Sequence, residues 1–241
     1  MNKVILITGG ALRLGAETAR TLHAAGMRVV VHYQRSEDAA VALVHALNQA
    51  RPDSALALQA DLRDPEAITS LVDASAQRWG RMDGLVNNAS VFRATPVPEA
   101  SLEDWASIFD VNLRAPFLLA QAAYPWLSRH DGAIVNLTDI YAERPKAGHA
   151  LYCTAKAGLL GLTRVLAREF APSVRVNAVA PGAILWPESG EVAEQARLLG
   201  RTPLGRAGDP SDIAAAVLYL IRAPYVTGQE IAVDGGRSIN D

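Results

Sequence analysis

The chain has 241 residues, half of them apolar and a fifth charged, a size that suits one α/β domain with a full core. Its net charge of −2 gives no bulk electrostatic case for nucleic acid or an anionic membrane, and the single Cys153 excludes an internal disulfide and a cysteine-cluster metal site. No apolar run approaches a membrane span and Val4-Ile5-Leu6-Ile7 is too short for a secretion signal, so a reducing, cytoplasmic setting is expected.

Short apolar runs near 3–7, 28–33, 55–60, 83–87, 132–138, 174–180 and 229–233 alternate with helix-like stretches. Those stretches fall near 14–26, 37–50, 65–79, 101–128, 150–170 and 210–222. Val29-Val30-Val31 is continuously apolar, the pattern of a strand buried on both faces of a parallel sheet. Repeated β-α units predict right-handed crossovers and a Rossmann-type doubly wound parallel sheet of seven strands, with helices on both faces. One domain over 1–241 is expected. The rhythm breaks at 183–208, which carries Trp186, Pro187 and Pro203 and reads as a substrate lid.

The first strand runs into Thr8-Gly9-Gly10-Ala11-Leu12-Arg13-Leu14-Gly15 and then a helix. A glycine turn of this kind lets backbone approach a pyrophosphate, with helix N–H groups facing the anion. The three-glycine dinucleotide spacing is not present, because Arg13 stands where a middle glycine would. After the second strand, His32-Tyr33-Gln34-Arg35-Ser36 offers a cation and a hydroxyl, which suits the 2′-phosphate of NADP(H) better than the bare ribose of NAD. The plain alternative there is a solvated helix start, with Glu37 and Asp38 complementing the dipole. Asp61-Leu62 after the third strand and Asn87-Asn88-Ala89-Ser90 after the fourth lie at carboxyl ends of strands, where such sheets bind ligands.

Pro116 removes an N–H from the long helical stretch, so the carbonyl of Asn112 loses its partner and a kink is expected, either with Asn112 as a polar node holding a water toward Lys156 or with no chemistry attached. Tyr152 and Lys156 are four apart on one helix face, a phenol beside an ammonium that would pull its pKa down. Asp139 ends the strand Ala133-Ile134-Val135-Asn136-Leu137 and can point at the same place. His23, His32, His45, His130 and His149 lack ligand-type spacing, so no metal site is expected, and His149 is expected in solvent, with an approach to the active site as the alternative.

Thr8-Gly9-x-x-x-Arg13-x-Gly15, Asn87-Asn88-Ala89, Asn112, Tyr152-x-x-x-Lys156 and Pro181-Gly182 together resemble a short-chain dehydrogenase/reductase over essentially the whole chain. The resemblance implies a catalytic set of Asn112, the residue at 139, Tyr152 as proton donor, and Lys156 on the nicotinamide ribose. It also implies a homotetramer, built partly through the last strand and the helices near 101–128 and 150–170. Most members have Gly at the positions of Arg13 and Ser90, and Ser at that of Asp139. These departures, with Phe92 and the His32-to-Ser36 turn, are similar to the pteridine reductases. That likeness implies a pterin stacked on an aromatic at Phe92, with Arg13, Ser90, Asp139 and Tyr152 touching cofactor or substrate, and Trp186 in the substrate lid.

Chemistry supports an acid at 139 for such a ring. A ketone builds negative charge on oxygen, which an ionised carboxylate opposes. A pterin C=N bond ends with protonation of nitrogen, and a carboxylate can accept from the ring N–H and amino groups, or hold the phenol. Asp139 can equally be protonated and donate. Reduction of a dihydropterin or dihydrofolate by NADPH is therefore expected, with oxidised pterins a further substrate. A carbonyl or 3-oxoacyl thioester reductase shares nearly every residue but wants Ser at 139. A non-catalytic NADP-binding regulator would not need Tyr152 and Lys156.

Overall fold

The computed structural model describes residues 3–184 and 192–240. Its strands are β1 (Val4–Ile7), β2 (Arg28–Tyr33), β3 (Ala55–Gln59), β4 (Gly84–Asn87), β5 (Ala133–Leu137), β6 (Arg175–Pro181) and β7 (Glu230–Val233). The helices are α1 (Arg13–Ala24), α2 (Glu37–Ala50), α3 (Pro65–Gln77), α4 (Leu102–Phe109), α5 (Ala115–Leu127), α6 (Ala150–Glu169), α7 (Val192–Gly200) and α8 (Pro210–Arg222). All seven strands pair in parallel, in the order β3-β2-β1-β4-β5-β6-β7.

Alternation along each strand divides the apolar residues between two cores. Ile5, Ile7, Val29 and Val31 pack with Leu22, Ile213 and Val217 from α1 and α8. Val4, Leu6 and Val30 face the other way, onto Ile68, Leu71, Leu119 and Leu127 from α3 and α5. Full burial of each such side chain contributes about 1.5–3 kcal/mol, which explains why the strands read as unbroken apolar runs. Strand order reverses between β1 and β4: Ile5 pairs with Val29 on one side and Gly84 on the other. The loops after these two strands therefore diverge and open a crevice at their carboxyl ends.

Two expected elements come out differently. The helix expected over 101–128 is α4 and α5, joined by a π-turn over Asp110–Arg114 in which the Ala115 N–H bonds the Asp110 carbonyl five residues back. Pro116 has no N–H to give Asn112, and the chain answers by widening the turn just before it. Within 183–208, expected as a lid, the described part contains α7, while Trp186 and Pro187 lie outside the described residues. No described helix is long and apolar enough to cross a membrane.

Candidate active site

The glycine turn is stitched to the end of β4. Thr8 Oγ1 accepts from the N–H groups of Asn88 (3.0 Å) and Ala89 (3.1 Å), and Asn88 Nδ2 donates to the carbonyls of Thr8 (2.9 Å) and Gly9 (3.0 Å). A Cβ on Gly15 would sit 2.2 Å from the Gly9 carbonyl oxygen and 2.7 Å from Asn88 Nδ2. Neither atom can move without breaking the turn. Gly15→Ala should therefore cost several kcal/mol of stability, on the scale of overpacked cores at about 1–3 kcal/mol or more. Thermal melting checks this, and an unchanged Tm would contradict the packing.

The start of α1 is left open. Its N-cap, Leu12, makes no side-chain cap and its first turn holds no acid, whereas Asp64 caps α3, and Ser101 with Asp104 and Asp209 with Asp212 form capping boxes on α4 and α8. Orphan N–H groups and the helix dipole at α1 are thus open to an anion. Arg13 is exposed there at φ +52°, a left-handed conformation that Gly would adopt without strain. Arg13→Gly is expected to hold or raise the Tm while raising the NADPH dissociation constant. A lower Tm with unchanged affinity would deny the guanidinium a cofactor role.

Beyond β2, Arg35 is exposed and Ser36 is the N-cap of α2 with no side-chain cap bond, so a cation and a hydroxyl stand together at the crevice edge. His32 and Tyr33, expected at the cofactor, are instead buried, because β2 continues through them and Tyr33 joins the α1 side of the core. Leu62, also expected there, is buried in the opposite core. Asp61 is occupied by Arg63, whose Nε lies 3.0 and 3.1 Å from its two oxygens, and that pairing holds its carboxyl down to about 2. Pro181 is buried at the end of β6, and Gly182 follows where a Cβ would lie 2.6 Å from Asp234 Cα.

The loop after β5 and the first turns of α6 bring the reactive groups together. Tyr152 Oη donates to Asp139 Oδ2 at 2.7 Å, and Asp139 Oδ1 accepts from the Tyr141 N–H at 2.9 Å. Lys156, fully buried, donates from Nζ to the Leu137 carbonyl at 2.6 Å and lies 5.7 Å from the centre of the Tyr152 ring. Burial first, then the Asp139 charge and hydrogen bond, push the Tyr152 phenol up, with the Ser90 hydroxyl acting the other way. Without a cationic nicotinamide beside it, the lowering of the phenol expected from Lys156 is outweighed by burial first and by the Asp139 carboxylate second, and the ammonium is turned to a backbone carbonyl. Burial raises Asp139 above the ordinary carboxylate range against the pull of the Tyr141 N–H, Tyr152, Lys156 and Lys146. It also brings Lys156 down to about 8.

Opposite signs follow for activity and stability. Between about pH 8 and the ordinary lysine value the folded chain holds fewer protons at Lys156 than the unfolded one, so this group's contribution to stability grows as pH rises. Turnover that depends on the ammonium should fall over the same window. A rate and a Tm that fall together there would contradict this reading.

The Asn112 side chain has a task of its own, apart from the backbone carbonyl that Pro116 leaves without a helical partner. Its Oδ1 accepts from the Val91 N–H (2.9 Å) and its Nδ2 donates to the Val91 carbonyl (2.8 Å), which fixes the loop carrying Ser90 and Phe92. Phe92 is half exposed and meets Tyr152 edge-on, with ring centres 4.7 Å apart. His149 stacks on the Phe92 ring at 4.7 Å, and the Lys146 ammonium lies over it, 5.6 Å from the ring centre. His149, for which solvent was expected with an approach to the active site as the alternative, is partly exposed and is the N-cap of α6, three residues before Tyr152. Among the described residues no group of three or more His, Cys, Asp or Glu could hold a metal ion.

The glycine cradle, the open α1 start, Arg35, Ser36 and Lys156 fit a nicotinamide dinucleotide with a 2′-phosphate. A family model described as Enoyl-(Acyl carrier protein) reductase matches residues 10–238. The chain is 37% identical to a 3-oxoacyl-(acyl-carrier-protein) reductase of Synechocystis sp., over 97% of this chain and 96% of that one. It is also 37% identical to 3beta-hydroxysteroid dehydrogenase 1 of Eggerthella lenta, over 98% and 94%. A blue fluorescent protein from a metagenomic library, solved in complex with NADPH, superposes with a TM-score of 0.91 at 38% identity, covering 98% and 97% of the two chains. Fold, cofactor cradle, the Tyr152–Lys156 pair and these likenesses agree: the chain belongs to the short-chain dehydrogenase/reductase family of oxidoreductases.

Proposed function

We propose that this chain is an NADPH-dependent reductase of the pterin ring, taking a dihydropterin or dihydrofolate to the tetrahydro form. The observation that carries the reading is the 2.7 Å hydrogen bond from Tyr152 Oη to Asp139 Oδ2. The cofactor, when bound, supplies a hydride to a ring carbon. Tyr152 delivers the proton to the adjacent ring nitrogen, and Asp139 keeps the phenol aimed and accepts from N–H groups on the ring edge. Lys156, anchored on the Leu137 carbonyl, would hold the nicotinamide ribose, and Arg13, Ser90 and Phe92 would meet the substrate. An ionised carboxylate beside a developing alkoxide would oppose ketone reduction, which is why the same geometry suits a nitrogen heterocycle.

Reduction of a carbonyl, such as a 3-oxoacyl thioester, is the second reading, and the names of the relatives and of the family model favour it over the pterin. Steady-state NADPH oxidation with dihydrobiopterin, dihydrofolate, a 3-oxoacyl thioester and simple ketones separates the two. Turnover of the pterins supports the first; turnover of thioester or ketones alone ends it.

Self-assembly into a homotetramer belongs to the same proposal. Trp105 on α4, Phe117 on α5 and Val165 on α6 are large apolar side chains about half exposed, and β7 has a paired neighbour on one edge only. A monomeric mass in solution would contradict it.

A further inference from the structure

Both glycine amides of the cofactor turn are held by one residue. The Gly9 N–H donates to His32 Nδ1 at 3.0 Å, and the Gly10 N–H donates to the His32 carbonyl at 2.8 Å. On its far side, His32 Nε2 lies 3.1 Å from the Ala60 carbonyl, so this imidazole spans the ends of β1, β2 and β3. It is 2% exposed.

The chemistry of the two partners fixes the protonation state. A backbone N–H can only donate, so Nδ1 must carry its lone pair; a carbonyl can only accept, so Nε2 must carry the hydrogen. The neutral Nε2–H tautomer satisfies all three groups. A proton added at Nδ1 would set two N–H groups face to face and orphan the Gly9 amide, at a cost typical of a buried donor left unmade, about 1–3 kcal/mol. Gly9 sits at φ +59°, held in that conformation by this bond and by the contacts of Asn88 and Ala89. The charged groups that face His32 are few. β1, the 8–12 turn and β3 contain no titratable side chain, and in the connection after β3 stands Asp61, already paired with Arg63.

We propose that His32 is a positioning residue for the cofactor turn, holding it only as the neutral Nε2–H imidazole, so that acid loosens the turn and weakens NADPH binding. Buried as it is, His32 acts through Gly9 and Gly10, whose amides are spent on it. Burial, the largest influence, lowers the His32 pKa, against smaller opposing effects of the Ala60 carbonyl and Asp61, so the break falls on the acid side of neutrality.

The test measures the NADPH dissociation constant by fluorescence from neutral pH downward for the wild type, His32→Asn and His32→Ala. Asn puts an amide oxygen where Nδ1 was, keeping the acceptor for Gly9 without a titrating group. Wild-type affinity should fall by about tenfold per pH unit below the break, relative to His32→Asn measured beside it. That variant also cancels the titration of the cofactor's own phosphate. His32→Ala should bind weakly at every pH. Equal slopes in wild type and His32→Asn would overturn the proposal. Nitrogen NMR of the wild-type imidazole gives a second reading that needs no variant to fold: an unprotonated Nδ1 at neutral pH is expected, and a protonated one would overturn it.

Discussion

Asp139→Ser is expected to lower kcat/KM for a dihydropterin by about 10²–10³-fold while leaving NADPH affinity within a few-fold. Serine can still cap the turn at Tyr141, whose N–H now bonds Asp139 Oδ1 at 2.9 Å, so the fold should persist. What disappears is the acceptor that holds Tyr152 Oη at 2.7 Å and the charge that raises its pKa. The phenol should consequently titrate at lower pH in the variant, readable from phenolate absorbance. Reduction of a 3-oxoacyl thioester should hold or rise, because the group opposing an alkoxide has gone. Parallel loss of pterin turnover and cofactor binding would mean that Asp139 supports the cofactor pocket and has no substrate-side role.

Tyr152→Phe should remove about 10²–10⁴-fold of kcat on any substrate the wild type reduces, with NADPH bound nearly as before. The ring's edge-on contact with Phe92 survives the change, and Asp139 keeps the Tyr141 N–H, so melting should shift little. A variant that oxidises NADPH at the wild-type rate would take the proton donor away from Tyr152. A wild type with no turnover on any member of the panel would turn attention to a cofactor-binding regulator.

Much of this site could be read from the chain because it rests on local chemistry. Val29-Val30-Val31 announced a strand buried on both faces, and Tyr152 with Lys156 shared a helix face whatever the fold around them. Gly15 was legible for a similar reason, since a Cβ there meets the Gly9 carbonyl within one short turn. The pairings that cross the sheet were not legible. His32 stands at a strand end, where polar residues meet ligands, and only the positions of Gly9 and Ala60 on neighbouring strands turn it into a buried bridge. Asn112 was marked by Pro116 as a disrupted point in a helix, but its partner Val91 lies 21 residues away in a loop. Lys156 and its Leu137 carbonyl likewise meet only once α6 packs against β5. The Tyr152-x-x-x-Lys156 pair and the glycine turn were enough to point to the family of oxidoreductases to which the chain belongs.

A crystal structure with NADP and a dihydropterin bound tests the central idea most directly. The account predicts the pterin lying flat beside Phe92, with an Asp139 oxygen at hydrogen-bond distance, about 2.7–3.2 Å, from a ring-edge nitrogen and Tyr152 Oη near the nitrogen to be protonated. An Asp139 side chain turned out of the pocket, with no flat ring stacked at Phe92, would contradict it and leave a carbonyl reductase.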